Sequence, residues 1–296
     1  MPVRIVQSKQ NARLKELRRV LAHPGRDAHS LAGIEGPKLL EEAQRAGLRV
    51  ACVFVAQGAE HLLDGLRLPP ETEVLLLPRE LLDAALATET PQPMAALVEP
   101  PSWDWDGIFG GRTKAAPLLI VLAGLQDPGN VGTILRSAEA FGATGVVSLS
   151  GTVSAWNPKA VRASAGSVFR LPLLTVEAQS CVARLRAEGV KILTTAVEGA
   201  EAANRIDLAG PVALVIGNEG NGVPQELAAE ADGAVTIPCP GPVESLNAAI
   251  AASVLLYEAS RQRTGDQAIA THPSRKDKNA ATVERPADHK PERSAQ

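Results

Sequence analysis

Apolar residues in the first third of the chain fall into short runs with two different periods. Spacings of three and four predict helices over 11–22, 34–46 and 79–87. Continuous apolar runs predict β strands over 50–55 and 73–77. Because short strands and helices are mixed in this part of the chain, we predict a small N-terminal α/β domain over residues 1–98.

The next stretch of the chain lacks this periodicity. It contains turn-forming and helix-breaking residues, namely Pro100, Pro101, Gly110, Gly111 and Pro117. Few apolar positions in it are spaced as a buried helix or strand requires. We therefore predict a linker over 99–117.

Beyond Pro117 the pattern becomes strand, turn and helix, repeated along the chain. The apolar runs predict strands over 118–123, 145–149, 191–197, 212–216 and 234–238. The helical spacings predict helices over 131–141, over 181–188 and from 245 to about 261. This alternation is typical of an α/β fold with a mostly parallel sheet that helices cover on both faces. We predict that it forms a second domain over 118–265.

The end of the chain has a different composition. After Gly265 the residues are polar, of mixed charge and interrupted by proline, without apolar periodicity. Such a segment buries too little apolar surface to offset the entropy lost on ordering. We predict a disordered tail over 266–296.

Composition excludes some classes of protein. The chain has 296 residues, of which 45% are hydrophobic, so it can bury a sizeable core. Its longest apolar runs fall well short of the roughly 20 residues that cross a membrane. No secretory signal is evident, so we expect a cytoplasmic protein without a membrane segment, although import into an organelle stays open. Three widely spaced cysteines, Cys52, Cys181 and Cys239, indicate neither a disulfide framework nor a zinc site.

Charge is unevenly distributed, although the formal net charge is only −3. A basic cluster near the start of the chain consists of Arg4, Lys9, Arg13, Lys15, Arg18, Arg19 and Arg26. Only Glu16 and Asp27 oppose it there. The cluster is either a surface that contacts the phosphates of a nucleic acid or an ordinary solvated helix face.

A first motif follows the strand predicted over 118–123. The strand runs into the turn Asp127-Pro128-Gly129, after which Asn130 takes the predicted N-cap position of a helix. Asn130 and Arg136 are six residues apart, which is two successive spacings of three residues, so both can lie on one side of that helix. The structural alternatives are that Asn130 only caps the helix and that Arg136 is an ordinary surface charge.

A second motif follows the strand predicted over 212–216. Its sequence is Gly217-Asn218-Glu219-Gly220-Asn221-Gly222, and its glycines let backbone approach a ligand. The spacing is not GxGxxG, so the motif does not indicate dinucleotide binding. Glu219 has no evident packing role, and a solvated turn residue is the alternative.

A third motif follows the strand predicted over 234–238. A Pro240-Gly241-Pro242 turn leads to Ser245, the predicted N-cap of the last helix, and Leu246 and Asn247 come directly after it. The small residues of that helix also suit a core helix.

Together the three motifs resemble the SpoU, or TrmH, family of RNA ribose 2'-O-methyltransferases in the SPOUT superfamily. The segment 130–136, the Gly217-Asn218-Glu219-Gly220 turn and the Ser245-Leu246-Asn247 triplet occur in the family's order. The segment 157–166 resembles a further family insert, and the resemblance covers 118–261. The N-terminal part, with Glu35-Gly36 before a helix, resembles a ribosomal-protein-like RNA-binding domain, but Gln92-Pro93 stands where many relatives have Gln-Gly.

The resemblance implies a fold, a cofactor and a set of site residues. The C-terminal sheet would contain a trefoil knot, and the protein would act as a homodimer whose active site uses both subunits. The cofactor would be S-adenosyl-L-methionine, in a pocket lined by Gly217, Ile237 and Leu246, with Thr195 as a further candidate. The polar residues expected near the reacting atoms are Asn130, Arg136, Glu219, Ser245 and Asn247. No metal is implied.

Ribosomal RNA is the substrate that the resemblance favours, with transfer RNA second. A non-catalytic RNA-binding or assembly protein that kept the knot is the alternative, which the intact Asn130, Arg136, Glu219 and Asn247 disfavour. A nucleotide-dependent oxidoreductase is disfavoured because no predicted strand is followed by GxGxxG. The resemblance leaves two roles open for Arg136, as a general base or as a group that positions the ribose and phosphate.

Overall fold

The computed structural model describes residues 3–25, 31–86, 88–110, 115–197, 199–243 and 245–264. These residues form two β sheets with helices packed on them, and both sheets belong to one compact unit that extends to Arg263. The tail predicted over 266–296 lies outside the described residues. None of the helices in the described ranges is long and apolar enough to cross a bilayer.

The first sheet, called the N-terminal sheet, is mixed and has five strands within the described ranges. The strands are β1 (Val3–Ile5), β2 (Ala32–Glu35), β3 (Val50–Ala56), β4 (Glu73–Leu77) and β5 (Met94–Val98). The helices beside them are α1 (Ala12–Ala22), α2 (Pro37–Arg45) and α3 (Arg79–Leu86). The spatial order is β1-β4-β3-β5-β2, with β1 and β3 parallel to β4, and β5 antiparallel to β2 and β3. This confirms a small α/β unit.

The helix predicted over 34–46 was wrong at its start. Ile34 lies in β2, where it pairs with Ala96 of β5. Gly36, with φ +95°, ends the strand, and Pro37 is the first residue of α2. Both elements bury apolar residues, so the prediction from apolar spacing merged them into one helix. In the structure a glycine and a proline separate the strand from the helix.

The second sheet, called the C-terminal sheet, has seven strands in the described part of the chain. They are β6 (Leu118–Ala123), β7 (Gly145–Leu149), β8 (Leu173–Val176), β9 (Lys191–Thr195), β10 (Glu201–Ala202), β11 (Val212–Gly217) and β12 (Gly233–Thr236). The helices are α4 (Trp105–Ile108), α5 (Pro128–Ala140), α6 (Pro158–Ser164), α7 (Ala178–Ala187), α8 (Gln225–Ala229) and α9 (Ala248–Thr264). The order is β10-β12-β9-β11-β6-β7-β8, and every neighbouring pair is parallel, which confirms the predicted parallel sheet.

Helices cover the C-terminal sheet on both faces. Ile120 of β6 belongs to the same apolar cluster as Leu135 of α5, whereas its neighbour Val121 belongs to another cluster with Val182 of α7. Successive strand residues point to opposite faces, so the two clusters lie on opposite sides of the sheet. The first cluster also contains Phe54 of β3 and therefore extends into the N-terminal sheet.

The segment predicted as a linker over 99–117 contains α4, whose Ile108 is fully buried. A Cβ at Gly145 of β7 would lie 2.9 Å from the Ile108 backbone, so this segment is packed closely against the C-terminal sheet. Helix α4 is a single short turn, too brief for apolar periodicity to reveal. Strands β1, β5, β8 and β10 were also missing from the predictions.

Candidate active site

The three motifs meet at one edge of the C-terminal sheet. They follow β6, β11 and β12, which end at Ala123, Gly217 and Thr236. The carboxyl ends of parallel strands lie at the same edge, where α/β proteins commonly bind ligands. Strand β9, which ends at Thr195, lies between β11 and β12 and adds its end to the same edge.

The loop after β11 is folded tightly on itself. Asn218 and Gly222 exchange two backbone hydrogen bonds of 2.9 Å, and Oδ1 of Asn218 accepts from the amide of Gly220 at 2.9 Å. A Cβ at Gly217 would lie 2.2 Å from the carbonyl carbon of Gly222. Glycine is required at 217 because the loop's own backbone occupies the space that a side chain would need. The sequence interpretation had instead explained the glycines by the approach of a ligand.

Glu219 is held by hydrogen bonds from the first motif. Its Oε1 accepts from Nδ2 of Asn130 at 2.9 Å and from the backbone amide of Asp127 at 3.3 Å, and its Oε2 accepts from the amide of Gln126 at 3.3 Å. Partial burial acts to raise the pKa of Glu219, but these hydrogen bonds outweigh burial and the pKa is lowered overall. Glu219 is therefore a carboxylate near neutral pH and acts as an acceptor.

Asn130 is buried inside the first turn of α5, so its predicted N-cap position was wrong. The N-cap is Asp127, whose Oδ1 accepts from the amide of Gly129 at 3.0 Å, and Pro128 begins the helix. Because Asp127 caps the helix, the Asn130 side chain is available to contact the other motifs. The sequence suggested Asn130 as the N-cap because it follows the turn that ends at Gly129 and because asparagine is a common N-cap residue.

Asn247 joins the third motif to Asn130. Its Nδ2 donates to Oδ1 of Asn130 at 3.1 Å, and its Oδ1 accepts from the amides of Ala249 at 2.9 Å and Ile250 at 3.3 Å. Asn247 therefore caps α9, and the predicted cap at Ser245 was wrong. A carboxylate only accepts, so the Asn130 amide presents its nitrogen to Glu219 and its oxygen to Asn247. The three side chains form a continuous hydrogen-bond chain.

Arg136 lies apart from this chain. It is exposed on α5, and it forms no hydrogen bond or ion pair with another residue of the described ranges. Thr133, one turn before it, donates from Oγ1 to the carbonyl oxygen of Gly129 at 2.8 Å. The guanidinium of Arg136 is therefore available to a ligand or a partner.

A cavity of about 640 Å³ opens beside the hydrogen-bond chain. All four residues predicted to bind the cofactor line it, namely Thr195, Gly217, Ile237 and Leu246. Of the five predicted polar residues, Glu219, Ser245 and Asn247 line it, whereas Asn130 and Arg136 do not.

Val197 and Val243 are two of the apolar residues in the cavity wall that the sequence interpretation did not name as cofactor-binding. Val197 and Val243 are 63% and 57% exposed, although valine is usually buried. Each lies in a loop that follows a strand of the sheet. For Val243 the available signal was an apolar residue among the prolines and glycines of such a loop. Val197 gave no such signal, because it was included in the strand predicted over 191–197, whereas β9 ends at Thr195.

The chain is similar to known proteins over nearly all of its described length. The profile of the SpoU rRNA methylase family matches residues 117–257, and that of the MRM3-like substrate binding domain matches residues 11–96. The chain is also 32% identical to the 23S rRNA (guanosine(2553)-2'-O)-methyltransferase RlmP of Bacillus subtilis, over 85% of this chain and 97% of that protein. The chain belongs to the SpoU rRNA methylase family.

Two solved methyltransferase structures agree with this fold. AviRb from Streptomyces viridochromogenes, determined in complex with the cofactor AdoMet, has a TM-score of 0.73 and 31% identity, covering 86% of this chain and 99% of that one. The AdoMet-bound rRNA methyltransferase from Sinorhizobium meliloti has a TM-score of 0.74 and 29% identity, covering 88% and 98%. These two structures thus share both the N-terminal and the C-terminal parts of this chain.

Proposed function

We propose that this SpoU family protein transfers the methyl group of S-adenosylmethionine to a ribose 2'-hydroxyl of ribosomal RNA. The observation that carries the proposal is the hydrogen-bond chain from Glu219 through Asn130 to Asn247 at the edge of the cavity. It supports the proposal because three of the five polar residues expected near the reacting atoms come together from three separate motifs. The Bacillus subtilis relative, similar over 97% of its length, is named as a 2'-O-methyltransferase of 23S rRNA.

The cavity suits S-adenosylmethionine in size and chemistry. Its volume of about 640 Å³ is in the range of pockets for small ligands, and loop backbone and apolar side chains form much of its wall. Gly217, Ile237 and Leu246, with Thr195, would hold the cofactor. When bound, S-adenosylmethionine supplies an electrophilic methyl group on a sulfonium.

The protein's own residues would align the ribose and ease loss of its hydroxyl proton. Glu219 and Asn247 orient the Asn130 amide, which leaves one N–H of its nitrogen for a further acceptor. Arg136 would grip a phosphate next to the reacting ribose. A guanidinium has five donors and no acceptor and stays charged near neutral pH, so this role is easier for it than that of a base.

We assign RNA binding to the N-terminal domain, residues 1–98, and methyl transfer to residues 118–265, with 99–117 as the connection. The basic cluster supports this assignment only in part. Arg4 and Arg13 bind Glu73 at 3.4 and 3.2 Å, and Arg13 also binds Glu16 at 2.9 Å, so two carboxylates balance the two arginines. Lys9 and Lys15 are exposed and form no ion pair within the described part of the chain, so they are the better phosphate contacts.

A second copy of the chain is the partner that we propose for an apolar face on α5 and α9. Ile250, Val254 and Tyr257 of α9 are 53%, 39% and 48% exposed, and Tyr257 packs edge-on against Phe141 at 5.9 Å. Adjacent exposed apolar side chains of this kind mark protein interfaces. Arg136, on α5 near this face, would then enter the site of the partner copy. This would account for its absence from the wall of its own cavity.

The trefoil knot also remains a proposal. A cytoplasmic location and a reaction without a metal remain predictions.

Methyl transfer from labelled S-adenosylmethionine tests the proposed function. We expect the purified protein to methylate in vitro transcribed 16S or 23S ribosomal RNA at one nucleotide, mapped as a 2'-O-methyl group. Transfer RNA serves as the comparison substrate, and methylation of it alone would favour the tRNA alternative. Cofactor and RNA binding without any transfer would favour the non-catalytic alternative.

A further inference from the structure

Helix α6 is packed unusually closely against α5. A Cβ at Gly132 of α5 would lie 2.2 Å from the carbonyl oxygen of Ala160 and 2.7 Å from Cβ of Ala163. Only glycine permits such an approach of the two helices. Any displacement of α6 is therefore passed on to α5, which carries Asn130 and Arg136.

Glu35 connects the N-terminal sheet to α6. It is the last residue of β2, it is buried, and its Oε1 accepts from the hydroxyl of Thr88 at 3.1 Å and the amide of Gln92 at 2.8 Å. Its Oε2 accepts from Nη1 of Arg162 on α6 at 3.2 Å. A buried carboxylate requires a partner of opposite charge, so this contact ties the two sheets together.

Arg170 makes a second connection. Its Nε and Nη2 bind both carboxylate oxygens of Glu139 on α5, at 2.6 and 2.9 Å, and its Nη1 binds Glu42 on α2 at 3.0 Å. Between α6 and Arg170 the chain turns through two left-handed residues, Ala165 with φ +49° and Gly166 with φ +89°. An alanine in this conformation is strained, and such strain persists where the surroundings require it. A Cβ at Gly166 would lie 2.9 Å from Cβ of Glu42, so the turn itself packs on α2.

We propose that Arg162 and Arg170 are positioning residues that orient the N-terminal sheet relative to α5. RNA bound by the N-terminal domain then reaches Asn130 in the orientation that the reaction needs. This inference rests on the proposed function. The inference predicts slower methyl transfer with unchanged binding of RNA and cofactor. The reason is that neither arginine lines the cofactor cavity and neither belongs to the basic cluster.

Single-turnover methyl transfer at saturating RNA tests the inference. The variants are Arg162→Gln and Arg170→Gln, with labelled S-adenosylmethionine and in vitro transcribed 23S ribosomal RNA. We expect the rate to fall by roughly tenfold or more, because small errors of alignment are costly in rate. The Kd values for RNA and cofactor should stay within about twofold of wild type. Arg162→Lys, which keeps the charge opposite Glu35, should recover most of the rate.

Arg186→Gln is the matched control. Arg186 pairs with Glu230 at 2.6 Å within the C-terminal part of the chain, and its loss should leave the rate unchanged. Wild-type rates in both Arg162→Gln and Arg170→Gln would overturn the inference, as would a change confined to the Kd for RNA. If Arg162→Gln does not fold, Arg170→Gln decides, because its carboxylate partners are partly exposed. A wild-type protein that transfers no methyl group contradicts the proposed function and this inference with it, whereas an active wild type with unaffected variants contradicts the inference alone.

Discussion

Nδ2 of Asn247 donates a hydrogen bond of 3.1 Å to Oδ1 of Asn130, although the two residues belong to motifs on different helices. The same Asn247 caps α9 through its Oδ1, and Asn130 in turn donates to Glu219. One side chain thus fixes the start of a helix and the orientation of the Asn130 amide.

Replacing Asn247 separates these two roles. Asn247→Asp keeps an acceptor for the amides of α9 but loses the donor to Asn130, so we expect near wild-type stability and methyl transfer slowed by about a hundredfold. Asn247→Ala loses both and should also cost about 1 kcal/mol of unfolding free energy. Urea unfolding and single-turnover rates measure the two effects. A wild-type rate for Asn247→Asp would show that the hydrogen bond to Asn130 is dispensable.

Glu219 should make stability depend on pH in the acidic range. Its pKa is lower in the folded protein than the usual value of about 4.3, so its ionised form stabilises the fold at higher pH. This contribution is fully present above the unfolded value and is lost as pH falls through the folded pKa. We expect the Tm difference between wild type and Glu219→Gln to be constant above about pH 5 and to shrink below about pH 4. A difference that does not change with pH would contradict this account.

Gly217 and Gly220 offer a matched pair of alanine substitutions in one loop. A Cβ at Gly217 would collide with the backbone of Gly222, whereas at Gly220 the nearest atom would be Oδ1 of Asn218 at 3.6 Å. We expect Gly217→Ala to destabilise the protein by about 1–3 kcal/mol and to weaken cofactor binding, and Gly220→Ala to do neither. Calorimetric titration with S-adenosylmethionine and thermal unfolding measure both. Equal effects at the two positions would show that the close approach at Gly217 is unimportant.

Arg136 should act by position and charge together. Arg136→Lys keeps a positive charge but loses bidentate hydrogen bonding to phosphate. The activity of Arg136→Lys should therefore fall nearly as far as that of Arg136→Ala. Cofactor binding should survive both changes, because Arg136 does not line the cavity. The measurement is single-turnover transfer against pH. A largely active Arg136→Lys whose pH profile moves to a lower apparent pKa would identify a titrating base instead.

RNA affinity should depend on the unpaired lysines of the basic cluster. Lys9→Glu and Lys15→Glu should weaken RNA binding and reduce the slope of log affinity against log salt, by about one for each phosphate that the variant no longer neutralises. Arg13→Gln is the comparison, because Glu16 and Glu73 already hold Arg13 at 2.9 and 3.2 Å. Filter binding at several salt concentrations measures the slope. An unchanged slope in both lysine variants would mean that the cluster is an ordinary solvated face.

Periodicity and motif order predicted much of the C-terminal sheet and of the site. Strands such as β6 and β11 are buried on both faces, so continuous apolar runs revealed them. Exposed elements gave no such signal, and β1, with all three residues exposed, is the clearest case. Strand β5 was missed although all five of its residues are buried. The helix predicted over 34–46 failed because a buried strand and a buried helix share the same kind of residues.

The sequence by itself determined which residues follow the strands of a parallel sheet, because strand and helix periods are local properties of the chain. It thereby indicated that Glu219 and Asn247 belong to one edge. Only the tertiary structure decided that Asp127 rather than Asn130 caps α5, since competing caps differ by the interactions that distant residues offer. The pairing of Glu35 with Arg162 was likewise decided by packing, because it joins two sheets whose relative position no local pattern encodes.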